Sequence, residues 1–550
     1  MKTKVIDNYK QLMQLTDNDK KEGYWEQTSI LSDTIKPLFA SFLYEVQGSI
    51  NQSLEQFKAP VPAIKTRFEN SHIYMKREPI EYDINERHSQ FLSIVQPIYP
   101  ELNTRFQNVL ETFFFPFFEK IDYMLEQEVT FDSAQTMLDY VMDMYPKSFT
   151  YQSEIMLPHH QLHKDLEKLY AQATDDKDVT IIYDMLIGVW NKSLEIDKAL
   201  SKLSQQVKED EDLKLKFQTV KPTELLNHLH EIPSGRKFEK DFQKFLSNYG
   251  NKTVRSRVLT DQTWFEKPSI PLTTIASYIS SNVNVEQRFQ KAIETRVHKY
   301  EAVLSSIPEG TTKEQFKTHY QWALDASNLD DDHHFYMDEM PTAKTRLLLL
   351  HLSNFLVNQQ IINETEDIFY LYLDELQEVL KHPEPLTEMI SERKLEYQHN
   401  INEQSPSYYG TPPAHNEKNL DIISERATGD ASNNEETNTS SSGYIKGLAG
   451  SKGIYTGAVK IINNEDEFNK LEDGDILVTY MTTPAWSVLF LRAGAIVTNV
   501  GGILSHPGIN AREYQIPAVL GTKNATSELK DGDIVTVEGT NGCIKIDERV

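Results

Sequence analysis

A single cysteine, Cys543, stands in 550 residues, which excludes an internal disulfide and any cysteine-based zinc cluster and fits a reducing compartment. Basic residues are also scarce. Lys and Arg number 56 against 82 Asp and Glu, for a formal net charge of -26. That balance repels polyphosphates and anionic membrane surfaces but leaves room for small anions, which need only a local nest of donors. Long hydrophobic runs are missing: Phe113–Phe118, interrupted by Pro116, and Leu347–Leu350 fall far short of a bilayer span. The start, Met1-Lys-Thr-Lys-Val-Ile-Asp, lacks an apolar stretch of signal-peptide length. What is present is 39% hydrophobic residues, enough for real cores, in a chain longer than one core usually organises. The expectation is an acidic, cytoplasmic protein of several domains that binds neither nucleic acid nor membrane.

Glycine is unevenly short. Eight of the 22 glycines precede residue 443, leaving fourteen for the last fifth of the chain. Glycine-poor sequence with three- and four-residue apolar spacing reads as helix, as in Ala343–Val357 and Glu366–Leu380. Ile181–Trp190 reads the same way, with Asp178 or Thr180 as a cap. Residues 1–402 are therefore expected to be mostly α-helical, as two subdomains meeting between 200 and 235. Residues 403–443, with the polar run Thr428–Ser442, read as a flexible linker. A flexible chain of about 40 residues has a root-mean-square span of roughly 35 Å. Residues 444–550 alternate strands (Ile454–Ile462, Asp475–Tyr480, Ala495–Thr498, Ala518–Gly521, Ile534–Glu538, Cys543–Ile546) with short helices at Pro484–Arg492 and Pro507–Tyr514. This is a small α/β domain.

Its densest local signal is Val497–Gly521. A strand ends at Thr498, Gly501-Gly502 permit a tight turn, and His506 stands at the mouth of a helix opened by Pro507. Such a turn is expected to aim the imidazole into solvent beside free helix N–H groups and a positive dipole end, a place suited to phosphoryl. An imidazole with a pKa near 6.5 is largely neutral, hence nucleophilic, at cytoplasmic pH. Ser505 is a candidate donor, and Arg512 is a candidate partner for the same anion. A lone Gly-Gly-x-x-x-His is more often a capping histidine in a glycine turn.

The surrounding residues favour the first reading. Gly447-Leu-Ala-Gly-Ser-Lys-Gly-Ile-Tyr-Thr-Gly-Ala-Val, Gly474-Asp-Ile-Leu-Val, Thr482-Thr-Pro-Ala-Trp, Ala495-Ile-Val-Thr-Asn-Val-Gly-Gly-Ile-Leu-Ser-His, Ala511-Arg-Glu, Ile516-Pro-Ala-Val and Asp531-Gly-Asp resemble the swivelling phosphohistidine domain of phosphoenolpyruvate synthase, pyruvate phosphate dikinase and rifampicin phosphotransferase. The resemblance implies that His506 is phosphorylated, with Gly501, Gly502, Ser505, Arg512 and Thr483 supporting the phosphate. Pro507-Gly508 depart from the small residues, often alanines, usual there. In the helical region, Met185-Leu-Ile-Gly-Val-Trp, Tyr249-Gly-Asn-Lys, Thr263-Trp-Phe-Glu-Lys-Pro, Asp331-Asp-His-His-Phe-Tyr and Glu366-Asp-Ile-Phe-Tyr resemble the acceptor-side domain of phenylphosphate synthase-like and rifampicin phosphotransferase-like proteins. Tyr249-Gly-Asn-Lys departs from the usual Tyr-Gly-His-Arg.

No glycine-rich phosphate loop with lysine and no stretch resembling an ATP-grasp domain occurs, and no barrel for phosphoenolpyruvate or pyruvate follows the histidine domain. The resemblance therefore implies a dikinase-type phosphotransferase component, inactive without a separate ATP-grasp partner that carries ATP and Mg2+; this chain itself is expected to hold no cofactor. The acceptor is expected to be a hydroxylated small molecule bound by the helical region. Acceptor-side base candidates are His333, chosen over His334, and Glu266, beside a core Trp264. His159, His160 and His163 include an i,i+4 pair, but no glutamate sits between them in the zinc-protease pattern, and no metal is expected. The Asp330–Asp332 run reads as solvated, and Phe113–Phe118 as core more often than pocket. The alternative is a non-catalytic phosphocarrier or regulator whose helical region docks a partner protein.

Overall fold

A computed structural model describes residues 8–28, 34–174, 179–253, 255–280, 284–403, 405–412, 444–482, 486–490, 492–503 and 505–550. It divides into two compact units. One comprises residues 1–158, 257–261 and 336–421; the other comprises 159–256, 262–335 and 422–550. The helical region is thus split after Pro158 and before Tyr336, not between 200 and 235. Among the described residues no helix is long and apolar enough to cross a membrane.

The first unit is helical, with a four-stranded antiparallel sheet that periodicity did not announce. Its strands are β1 (Tyr24–Gln27), β2 (Ile64–Glu69), β3 (His72–Arg77) and β4 (Tyr408–Gly410), ordered β2-β3-β1-β4. Tyr408–Gly410, assigned to the linker by composition, pairs with Tyr24–Glu26, so the linker begins later than residue 403. The rest of that expected linker, residues 413–443, lies outside the described residues. Trp25 and Tyr74 are fully buried against this sheet. The helix expected over Ala343–Val357 runs over Met340–Asn358. That expected over Glu366–Leu380 is broken into a 3-10 turn, Thr365–Tyr370, and a helix, Leu373–Lys381. Phe113, Phe114, Phe117 and Phe118 are buried, so the aromatic run is core.

The second unit joins helices to the α/β domain. The apolar run from Ile181 is helical only over Thr180–Asp184, capped by the backbone of Val179 rather than by a side chain. The chain then turns through Gly188, whose φ of +69° and backbone crowding (an added Cβ would lie 2.8 Å from the Ile293 nitrogen) require glycine. Helices Lys192–Lys208, Pro233–Tyr249, Ser269–Ser280 and Val285–Ser306 follow.

An eight-stranded sheet forms the α/β part: β5 (Tyr444–Lys446), β6 (Leu448–Ser451), β7 (Ile454–Ile461), β8 (Ile476–Thr479), β9 (Ala495–Thr498), β10 (Ala518–Leu520), β11 (Ile534–Glu538) and β12 (Cys543–Glu548). The order is β5-β12-β11-β7-β8-β9-β10-β6, with β7 to β10 parallel and the remaining pairs antiparallel. Six of these strands stand within two residues of their expected ends; β5 and β6 were not anticipated. β8 and β9 are buried along their whole length, as central parallel strands are, and their side chains join Val459, Val519, Val535 and Ile544 in one core. The loop after β9 opens at the carboxyl end of the parallel strands, where α/β sheets place their ligands.

Candidate active site

The backbone after β9 is held before the histidine arrives. Asn499 and Val500 still donate to Thr479 and Tyr480, and the Asn499 amide bonds the Thr526 hydroxyl (2.6 Å) and accepts the Thr526 N–H (3.0 Å). Gly501 then takes φ +138°, and an added Cβ would meet Ser505 Oγ at 3.0 Å. The Gly502 carbonyl accepts both the Ser505 N–H (3.0 Å) and its hydroxyl (2.6 Å), closing the turn. Helix His506–Glu513 begins there, with Pro507 in its first turn and Asn510 bonding the His506 carbonyl.

The imidazole of His506 does not face solvent as expected: it is 7% exposed. Its Nδ1 lies 3.3 Å from the hydroxyl of Thr482, and its Nε2 is buried with no hydrogen-bond partner among the described residues. The Phe490 ring stands 5.7 Å away. Burial pushes the imidazole pKa well below its ordinary value, and the charges of Lys252 and His334 add to that. The ring is therefore neutral. In the tautomer whose Nδ1–H donates to the Thr482 hydroxyl, Nε2 carries the free lone pair that a nucleophile needs.

Lys252 reaches this neighbourhood from the end of helix Pro233–Tyr249. It is 4% exposed, its carbonyl accepts the Trp264 N–H (2.9 Å), and its ammonium stands 5.8 Å over the Trp264 ring. Sequence reading gave this residue no role. Thr482 was also missed, in favour of its neighbour Thr483, which lies outside the described residues. The Thr482-Thr483-Pro484 sequence pointed to the right turn but not to which hydroxyl meets the ring.

Other expectations change. Arg512 does not share an anion with His506: six residues along a helix is about 240° of rotation, and its guanidinium donates to the Gly450 carbonyl (2.9 Å) and lies over Tyr183. The Ser505 hydroxyl is spent on Gly502. His333 is buried with Nδ1 on the Leu329 carbonyl and its ring 3.9 Å from that of His334, whereas it is the charge of His334 that acts on His506. Glu266 accepts the N–H (2.9 Å) and hydroxyl (3.1 Å) of Thr263, a reciprocal turn cap, so its carboxylate serves the backbone. The aspartate run is not solvated: Asp330 meets His159, Asp331 takes the N–H and hydroxyl of Ser193, and Asp332 takes the Lys192 N–H. Trp264 is core, as expected.

The helix that starts at His506 ends on the helical part of the same unit. Glu513 accepts the Gly188 N–H (3.2 Å), Tyr514 donates to Asp197, and the Gln515 amide donates to the Thr295 hydroxyl (2.7 Å). Burial raises the carboxyl of Asp197 to about 6 and that of Glu513 to about 7.

Residues 471–542 match the mobile domain of PEP-utilising enzymes, and residues 154–329 match the fourth domain of rifampicin phosphotransferase. The chain is 34% identical over 541 residues to the uncharacterized phosphotransferase YvkC of Bacillus subtilis, covering 98% of this chain and 64% of that protein. It is 31% identical over 340 residues to the rifampicin phosphotransferase of Bacillus subtilis (60% of this chain, 37% of the other). It is 51% identical over 112 residues to a probable phosphoenolpyruvate synthase of Archaeoglobus fulgidus (20% and 15%). The chain thus spans less than two thirds of the length of each of these relatives. It combines a segment similar to the mobile domain of PEP-utilising enzymes, which includes His506, with one similar to the fourth domain of rifampicin phosphotransferase, and is related in sequence to phosphotransferases.

Proposed function

We propose that His506 carries a phosphoryl group from ATP to a hydroxyl of a small molecule held by the helical residues of its own unit. The observation that supports this most is a neutral, buried imidazole whose Nε2 has no described partner, set in the field of Lys252 and His334. Loading takes place on an ATP-grasp protein in the cytoplasm that holds ATP and Mg2+. Nε2 attacks the β-phosphorus, AMP leaves, and the γ-phosphoryl ends on water as phosphate. At the helical side the acceptor oxygen attacks the same phosphorus. The P–N bond breaks with its electron pair returning to Nε2, and the hydroxyl proton passes to a base, for which His334 in its neutral form replaces His333 as the candidate. Lys252 offsets the charge on the transferring group, and positioning supplies most of the rate.

Incubating the protein with an ATP-grasp protein and ATP labelled at the β-phosphorus tests the reading. The expected result is acid-labile label on the His506 peptide, discharged to a hydroxylated acceptor. Turnover that survives His506→Gln overturns it.

A further inference from the structure

The helix Phe131–Thr174 carries His159 and His163 one turn apart on one face, both fully buried, with ring centroids 4.5 Å apart. No carboxylate near them in sequence completes a ligand set, but the fold brings one from 171 residues away: His159 Nε2 lies 2.8 Å from Asp330 Oδ1. One ligand atom from each of the three residues lies within 4.8 Å of the others. Two imidazoles and a carboxylate form the donor set of a tetrahedral zinc site with its fourth place left to water. Zinc–ligand bonds of about 2.0–2.1 Å put tetrahedral donors about 3.3 Å apart, so the cluster closes with a contraction of at most about 1.5 Å between donors. A second observation points the same way. His159 Nδ1 is also buried and has no partner among the described residues, so the His159–Asp330 hydrogen bond alone leaves this polar cluster incomplete. The Asp330 side chain keeps 16% exposure, whereas that of His159 has none.

We propose that His159, His163 and Asp330 bind one divalent ion of the zinc type. The ion ties helix Phe131–Thr174 to the helix Leu329–His333. The latter runs directly into His334, so the ion fixes the segment that brings His334 into the field of His506. The proposal does not depend on the phosphoryl chemistry.

The test is metal content of the full chain, purified, incubated with zinc sulfate and desalted. The expected result is about one zinc per chain, with a Tm that falls on chelation and recovers on re-addition. His163→Gln and Asp330→Asn are expected to lower zinc content at least about tenfold. Sub-stoichiometric zinc in the unaltered chain, or undiminished zinc in both variants, overturns the proposal. If the variants do not fold, the cobalt-substituted wild-type chain decides. Visible bands of tetrahedral cobalt without a thiolate charge-transfer band support the site; their absence, or a thiolate band from Cys543, refutes it.

Discussion

Tyr514 donates its phenolic hydroxyl to the buried carboxylate of Asp197, fastening the end of the His506 helix to helix Lys192–Lys208. With the Gly188 N–H on Glu513 and the Gln515 amide on Thr295, this seats the mobile-domain helix on the helical part of its unit. Tyr514→Phe removes one partner of a buried charged hydrogen bond, a loss of about 1–3 kcal/mol. The expected outcome is unchanged labelling of His506 by the loading protein, with discharge to acceptor slowed roughly tenfold or more by the same arithmetic. A pulse of labelled ATP followed by an acceptor chase separates the two steps.

The same contact has a pH dependence whose sign is fixed. Burial, opposed by Tyr514 and Tyr278, raises the Asp197 carboxyl to about 6; Asp331 raises it further and Lys252 lowers it. Burial, opposed by the Gly188 N–H, Arg512 and Arg296, raises Glu513 to about 7, with Asp331 adding. A carboxyl with a raised folded-state pKa holds its proton longer in the folded state. Its contribution is therefore full below the ordinary carboxyl range and is lost as pH rises toward 6 and 7. Each group contributes on the order of 3 kcal/mol at most. Thermal unfolding between pH 4.5 and 8 is expected to show this decline in the wild type and a flatter profile in Asp197→Asn with Glu513→Gln. An unchanged profile would show that the two carboxyls do not titrate there.

The parts of this site that could be read from the residues are those that are local. Ala495–Thr498, Gly501-Gly502 and His506 are consecutive, so strand, turn and helix start follow from short-range chemistry, and β9 has its expected ends. What depended on packing was not legible. His506, expected to face solvent, is buried beside Thr482 and Phe490, and the charge that acts on it belongs to Lys252, far away in sequence. His334 was set aside on α-helical geometry, but a π-helical segment, His334–Glu339, starts at that residue and alters the angular spacing. Ile64–Glu69 carries the alternation of a half-buried strand and was legible but not read, whereas Tyr408–Gly410 is a three-residue strand beside polar sequence, too short to show a period.

Gly501→Ala tests the turn rather than the chemistry. A φ of +138° disfavours any side chain, and the new Cβ would press Ser505 Oγ and Pro507. The expected cost is about 1–3 kcal/mol of local stability, seen as faster amide hydrogen exchange across 499–508 and weaker labelling of His506.

Glu266→Gln distinguishes a capping role from a base. A glutamine oxygen still accepts from the Thr263 N–H and hydroxyl, so transfer rate and its pH profile are expected to stay within about twofold, with stability changing by at most about 1 kcal/mol. A loss of several orders of magnitude in discharge would restore Glu266 as the proton acceptor.

Lys252→Met removes the cation nearest in effect to the nucleophile while keeping much of the side-chain volume over Trp264. Two consequences follow from one charge. Lys252 depresses the His506 pKa, second to burial, so its removal raises that pKa, an upward shift that nitrogen NMR of the imidazole would detect. The phosphoryl group in transfer also loses a compensating charge in a water-poor site, where one such group is worth about 10²–10³ in rate. Discharge should therefore slow by that factor, while loading stays near wild type if His506 leaves the field of Lys252 to reach the loading protein. Equal slowing of both steps would mean that Lys252 acts on His506 through the fold of the unit and not on the transferring phosphoryl group.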